Sequence, residues 1–404
     1  MKVAARFIVR LIVRFFARIL VVPLCHLIEP VWKLRLTPLF TARFGHLSLN
    51  TYLYVAQQRL GQGEKCKGRL FFGANPCNRQ LFDMWHHLIP IYESRVLTGL
   101  YMNCQDIVSE IPMFRVLPDD CGIDERYIPN AHELVTTCGG VLEFTPREHE
   151  RGRDILQEMG LGEDDWFVCF QARDSSYHEK RIGSNPARHR NTKIESFLEA
   201  AQMITDMGGF AIRIGSTVEK PLPDGLDPRI IDYATKHRSD FGDVYLLGNC
   251  RFFLGSSTGT TTVPMLFGTP VALTNLVPAV PNVCGRNSLF ISKLLKDKKT
   301  GQLATYETFF ELIGSAQQYN LNCHHWDNAE IYESDRYTLI NNSSEEIAEL
   351  CQDMFDLLEG KEPTQEATDQ QDAFGNRHLK DLPDVNIHGP RIGPRFSVKY
   401  SDLI

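Results

Sequence analysis

Between residues 166 and 275 the chain alternates short apolar runs with segments of helical character, and nothing else in it limits the fold so tightly. The runs 166–170, 210–214, 251–254 and 271–273 are of buried-strand type, and 244–247 reads as a further strand. Helical segments are expected at 194–207 and near 228–237. Strands that alternate with helices imply crossover connections and a parallel sheet covered on both faces. In such a sheet ligands gather at the carboxyl ends of the strands, so the residues that follow each run matter most.

The stretch 251–275, RFFLGSSTGTTTVPMLFGTPVALTN, carries the most chemistry. After the strand, Gly255, Ser256, Ser257, Thr258 and Gly259 form a small-residue turn. Residues 260–267 fit a two-turn helix stopped by Gly268, and Pro270 leads into the next strand. Backbone N–H groups and the positive end of the dipole at such a helix start favour a phosphate or diphosphate. Glycines let an anion approach the backbone, and the hydroxyls of Ser256, Ser257, Thr258, Thr260 and Thr261 can donate to its oxygens. The same residues also suit an ordinary tight strand-to-helix turn, and on the loop alone both remain open. It has neither a Gly-Lys-Ser/Thr nor a G-x-G-x-x-G pattern, so it indicates neither an NTPase nor a dehydrogenase.

The other strand ends supply matching groups. Gln171, Ala172, Arg173, Asp174 and Ser175 follow 166–170; Gly215, Ser216 and Thr217 follow 210–214, with Glu219 and Lys220 close behind. Thr274 and Asn275 follow 271–273, and Arg190 with Asn191 precedes the helix at 194–207. Arg173 can reach the same diphosphate as the loop, because a guanidinium pairs well with phosphate oxygens. Glu219 is of the type that accepts both hydroxyls of a ribose. Singly, each residue fits a salt bridge or a cap; their placement together points to one site.

In layout, residues 166–275 resemble the donor-binding half of GT-B glycosyltransferases, especially the heptosyltransferases. The matching elements are Arg173-Asp174, Gly215-Ser216 with Glu219, Thr258-Gly259, and Gly268-Thr269-Pro270-Val271. The chain is also similar to a bacterial glycosyltransferase family over most of residues 41–360. That likeness rests on Trp166-Phe167-Val168-Cys169, Arg173-Asp174-Ser175, Arg190-Asn191, Glu219-Lys220-Pro221-Leu222, Cys250 to Gly255, and Arg43-Phe44-Gly45-His46. One departure is Ser257, where heptosyltransferases carry an aspartate, so individual donor contacts do not transfer.

The resemblance implies an α/β chain of two Rossmann-like domains of GT-B type facing across a cleft. The chain itself sets the boundary near the helix at 145–160, which would make 37–150 the acceptor side and 151–360 the nucleotide-sugar side. Residues 360–390, polar and rich in Gln, Asp and Pro, read as a linker, and the apolar residues of 392–404 as a tail that docks back on the fold. The resemblance also implies transfer of a sugar to a hydroxyl of a lipid-linked or cell-envelope glycan, with no cofactor. GT-A enzymes commonly hold a metal with Asp-x-Asp, a pattern found nowhere in the chain, so metal-independent chemistry is expected. On this reading His46 is the general base and Arg173 acts at the leaving group. Asp174, Ser175, Arg190, Asn191, Gly215, Ser216, Glu219, Lys220, residues 255–261 and Asn275 bind the donor; Gly45 and Asn50 bind the acceptor. His46 would sit at the end of the first strand, and it fits a structural histidine equally well. Transfer of a phospho-polyol or pyruvyl group, or a non-catalytic binding role, fits the same scaffold.

A net charge of −7 argues against a general nucleic-acid binder. Eleven cysteines without a C-x-x-C pair suit free thiols. The adjacent pairs His86-His87 and His324-His325 point apart on a helix or strand and suit surface or core positions better than a metal site. The charge is unevenly spread: Lys2, Arg6, Arg10, Arg14 and Arg18 recur every four residues among apolar ones, and the first acidic residue is Glu29. A helix spanning the bilayer would set Arg10 and Arg14 near its middle, at roughly 2.5–3.5 kcal/mol each. A signal peptide needs an uncharged apolar core that arginine interrupts here. A helix over 1–36 lying in the membrane interface accommodates every feature, as does one packed on the protein's own surface. The first places the protein in the cytoplasm, peripheral to the inner face of the cell membrane. Farther on, 41–57 reads as a turn and a helix capped by Ser48 or Asn50, and 69–72 as a strand. Thr145, Pro146, Glu148 and Gly160 frame another helix.

Overall fold

The computed structural model describes residues 10–108, 111–114, 130–176, 187–314 and 329–404. The chain divides into two compact units, Met1–Asp119 and Asp120–Ile404. Both are built on parallel sheets, as the alternating pattern requires.

In the amino-terminal unit β1 (Leu34–Pro38), β2 (Gly68–Gly73) and β3 (Ile91–Glu93) form a parallel sheet in the order β1-β2-β3. Helices Phe44–Arg59 and Arg79–His86 occupy the two connections. Phe71, Phe72, Leu53 and Trp85 are fully buried, and the Trp85 indole donates to the carbonyl of Leu47 at 3.0 Å. The helix at 44–59 starts from Arg43, and neither Ser48 nor Asn50 caps it. Ser48 lies inside the helix, where its hydroxyl bonds back to the carbonyls of Phe44 and Gly45, both at 2.9 Å. A continuous helical segment, Arg10–Trp32, precedes β1. It includes a π turn, Ala17–Val21, just before Pro23, which has no N–H to donate.

The carboxy-terminal unit holds a seven-stranded sheet in the order β12-β9-β8-β7-β4-β5-β6, every pair parallel. Its strands are β4 (Phe167–Gln171), β5 (Phe210–Arg213), β6 (Ile230–Ile231), β7 (Phe253–Ser256), β8 (Val271–Leu276), β9 (Leu289–Ser292) and β12 (Arg391–Ile392). A separate antiparallel pair joins β10 (Leu294–Asp297) to β11 (Tyr337–Ile340). Val168, Cys169, Phe253 and Leu254 have no exposed surface. Each such side chain contributes about 1.5–3 kcal/mol of hydrophobic stabilisation. The helix Pro146–Glu158 opens with a capping box between Thr145 and Glu148, and Gly160 takes the left-handed conformation (φ 89°) just beyond its end.

Three sequence expectations are corrected. Residues 244–247 belong to the helix Asp240–Asn249, capped by Ser239 on the N–H of Gly242 at 3.0 Å. A short apolar run buried on every side does not reveal its period. The region near 228–237 gives β6 and the single turn Tyr233–Lys236 instead of a full helix. Residues 360–390 are not a linker but helices Gln365–His378 and Pro383–His388. Ala367, Gln371 and Phe374, spaced by four and three, face inward, and Phe374 meets Tyr306 edge-on at 5.0 Å. The tail does dock: Phe396 and Ile404 are buried and Ile392 pairs with β9.

Candidate functional site

β4 and β7 are neighbours at the centre of the large sheet. From them the chain winds outward in opposite directions, through β5 and β6 on one side and β8, β9 and β12 on the other. The loops after β4 and β7 therefore diverge at a topological switch point, where a crevice opens beyond the strand ends. Two bonds tie these loops together. The N–H of Arg173 donates to Ser256 Oγ at 2.8 Å, and Thr258 Oγ1 donates to Gln171 Oε1 at 3.1 Å.

A third segment, 187–192, joins them. Arg173 Nη1 donates to the carbonyl of Ala187 at 3.0 Å and to Asn191 Oδ1, while the N–H of Thr192 donates to the carbonyl of Arg173 at 2.9 Å. Arg190 Nη2 donates to both the carbonyl (2.8 Å) and the hydroxyl (3.0 Å) of Ser257, whose Oγ also lies 3.0 Å from Asn282 Oδ1. Arg173 is buried and Arg190 half-buried. Lys293, just past β9, secures the segment from behind: its Nζ donates to the carbonyls of His189 (2.6 Å) and Asn191 (2.8 Å). Burial lowers the Lys293 ammonium to about 8; the positive charge of Arg173 acts in the same direction and Glu333 opposes it. Two arginines thus tie the loop of hydroxyls and segment 187–192 together, and Lys293 backs that segment.

The loop itself departs from expectation. In place of a two-turn α-helix over 260–267 there are two 3₁₀ turns, Gly259–Thr262 and Pro264–Phe267, stopped by Gly268 at φ 79°. Pro264 has no N–H to carry an α-helix across this point, and the three threonines and Val263 are stiff at χ1. So little helix means a weak dipole, and the anion-binding capacity shifts to the arginines and hydroxyls. Thr258 caps the N–H of Thr260 at 3.2 Å, and Thr261 Oγ1 bonds back to the Thr258 carbonyl at 2.6 Å. Gly255 serves close packing of the strands: an added Cβ would lie 2.7 Å from the Phe253 ring and 3.0 Å from the Gln171 carbonyl oxygen.

Asp174 links the loop after β5 to the loop after β4. Its carboxylate accepts the N–H of Glu219 at 2.9 Å and that of Ser176 at 3.0 Å. Ser175 lies half-buried in the same turn, and Glu219 and Ser216 are exposed beside it. An added Cβ on Gly215 would lie 2.7 Å from Val218. Lys220 pairs instead with Glu195. Asn275 is not part of the cluster. It is buried with φ 53°, and it forms a reciprocal latch with Asn342, its N–H donating to Asn342 Oδ1 and its Oδ1 accepting the Asn342 N–H.

In the amino-terminal unit, Gly45 and His46 lie in the first turn of the helix Phe44–Arg59, not at the end of β1. His46 Nδ1 is 3.1 Å from Asn50 Oδ1, one helical turn on. An amide oxygen only accepts, so this assignment puts the proton on Nδ1 and leaves Nε2 as the basic nitrogen.

Asn282 and Lys293 were not anticipated, and Gln171 was noted for its place after the strand but not as a site residue. Lys293 obeys the strand-end rule, and recognising β9 in Leu-Phe-Ile-Ser would have found it. Among the described residues, Glu133, Asp384 and His388 are close enough to share a cation. However, both oxygens of Asp384 accept N–H groups of His132 and Glu133 at 2.8 Å, which reads as a cap on the helix Ala131–Cys138. His86 and His87 are exposed; His324 and His325 lie outside the described residues. The nine cysteines among the described residues form no disulfide.

No family model and no curated protein matches the chain. Several solved structures resemble it distantly, three of them as follows. ADP-heptose LPS heptosyltransferase II of E. coli aligns over 65% of this chain and 91% of its own, at 13% identity and a TM-score of 0.42. A glycosyl transferase family 9 protein from Veillonella parvula aligns over 64% and 85%, at 13% identity and 0.41. The E. coli heptosyltransferase WaaC, solved with ADP, aligns over 71% and 100%, at 10% identity and 0.34. Likeness at this level assigns the chain neither a family nor an activity; its α/β character rests on its own strand order.

Proposed function

We propose that the chain is a glycosyltransferase of GT-B type. The carboxy-terminal unit would hold a nucleotide-sugar, whose sugar passes to a hydroxyl of a lipid-linked or cell-envelope glycan. One observation carries this reading: Arg173, Arg190 and the hydroxyls of Ser256, Ser257 and Thr258 converge at the β4/β7 switch point. In the reaction the acceptor oxygen bonds to the anomeric carbon as the bond from that carbon to the diphosphate breaks. The departing diphosphate gains charge, and donors fixed in advance around it stabilise the transition state. Removing one such donor typically costs roughly 10²–10³ in rate. The arginines take the part a divalent cation plays elsewhere. Glu219, on a loop tethered by Asp174, is suited to the ribose hydroxyls. His46 Nε2 is the candidate acceptor of the proton released by the attacking hydroxyl.

Product analysis tests the assignment. The chain is incubated with UDP-, GDP-, CDP-, ADP- and dTDP-sugars and membrane lipid extracts. Release of a nucleoside diphosphate together with sugar incorporation into lipid supports the proposal. Release of a nucleoside monophosphate from a CDP-polyol offered in parallel signals phospho-polyol transfer instead, and binding without turnover signals a non-catalytic role.

A further inference from the structure

The helical segment Arg10–Trp32 has two faces with opposite fates. Its inner face belongs to the amino-terminal unit: Ala17 and Cys25 are buried in a cluster with Phe72, Tyr101, Cys104 and Val108, and Val13, Val22 and Ile28 pack against it. Arg14 fixes the same face by donating through Nη1 and Nη2 to the carboxylate of Asp106, at 2.7 and 2.5 Å. Among the described residues the outer face has no such cover: Phe15, Leu20, Leu24, Leu27, Val31 and Trp32 are each more than half exposed. Isolated exposed apolar residues are ordinary, but a continuous face of them along 23 residues marks an interaction surface.

We propose that this outer face docks in the plane of an anionic lipid leaflet, with its apolar side chains sunk to the headgroup–acyl boundary. The segment is long and apolar enough to cross a bilayer. A crossing helix, however, must present every side to lipid or to other spanning segments. Here insertion would strip Ala17 and Cys25 from their partners and would either break the Arg14–Asp106 pair or carry Asp106 into hydrocarbon. Lying flat preserves all of these contacts. Charge identifies the occupant: Arg10 and Arg18 are exposed on the segment, and no acidic residue precedes Glu29, which is itself engaged by Arg35 at 2.8 Å. Anionic headgroups match those cations, whereas a second copy brings the same cations and, on this segment, only the Glu29 carboxylate that Arg35 already holds. Trp32 closes the apolar face with a ring suited to the membrane interface.

The proposal concerns the amino-terminal unit alone and stands or falls separately from the nucleotide site. The full chain is sedimented with phosphatidylcholine vesicles, with and without phosphatidylglycerol. Binding to the anionic vesicles is expected, about tenfold weaker when the anionic lipid is omitted. The double variant Leu20→Glu/Leu27→Glu, which alters only exposed positions, should lose at least about tenfold more while keeping its circular dichroism. Depth is read from the tryptophan introduced by Leu20→Trp, which shallow brominated lipids should quench more than deep ones. Deeper quenching at this mid-helix position would mean a spanning helix and overturn the proposal. So would unchanged binding of the double variant. Absence of vesicle binding, together with a lipid-free dimer that the same substitutions dissolve, would make the face a protein interface and equally overturn it.

Discussion

The two parallel sheets follow the same strand–helix rule and end in opposite surfaces. In the carboxy-terminal unit the strand ends turn charge inward, so that Arg173 and Arg190 meet a loop of hydroxyls and Lys293 supports the segment between them. In the amino-terminal unit the helix leading into the sheet turns apolar side chains outward, and the first strand leads to a helix that buries Ser48, Asn50 and Thr51. The fold therefore determines where loops and edges fall, but not what they bind. The contrast is between a proposed anion cradle and a proposed lipid-facing surface, and each half can be broken alone.

The largest effect is expected at the cradle. Arg173→Ala should lower kcat/KM by about 100-fold or more, because it removes a buried donor and the anchor of segment 187–192. Arg173→Lys should recover only part of this, since a point charge cannot make the guanidinium's paired bonds. Steady-state kinetics with the responding nucleotide-sugar measures both. Arg190→Ala should follow at about 10- to 100-fold in donor Kd, the usual worth of charged hydrogen bonds at about 1.5–3 kcal/mol, read by calorimetry. Equal effects of either substitution on vesicle binding would erase the distinction between the two units.

Lys293→Met sharpens the same side through stability. The folded-state ammonium is lowered to about 8, against about 10.4 in an unfolded chain. Between those values the folded protein binds fewer protons than the unfolded one, so this residue makes stability rise with pH across the window. Urea unfolding should therefore show the native chain gaining on the order of 1–3 kcal/mol relative to Lys293→Met between pH 8 and 10. In the amino-terminal unit, His46→Ala should lower kcat/KM by about 100-fold or more while the fold, read by circular dichroism, is kept. Unchanged turnover would remove His46 as the base.

Much of the large sheet was legible because its central strands are buried apolar runs closed by punctuating residues. β4, β5, β7 and β8 fall within two or three residues of expectation. The capping box at Thr145 was equally plain, because its hydrogen bonds are local. What escaped depends on tertiary packing. The helix Gln365–His378 is polar except for one narrow stripe, and β12 is two residues long and exists only through pairing with β9. At the site, the arginines were found by position after a strand. Lys293 was hidden because β9 had not been recognised. Asn275 had the right position, but its amide is committed to Asn342, a long-range pairing that no local pattern reveals.

The most direct test of the cradle compares each nucleoside diphosphate with its monophosphate by calorimetry on the native chain and on Arg190→Ala. One diphosphate should bind at least about tenfold more tightly than its monophosphate, and the substitution should erase most of that difference. If the second phosphate adds no affinity, or its contribution survives the loss of Arg190, the switch-point crevice is not a diphosphate site.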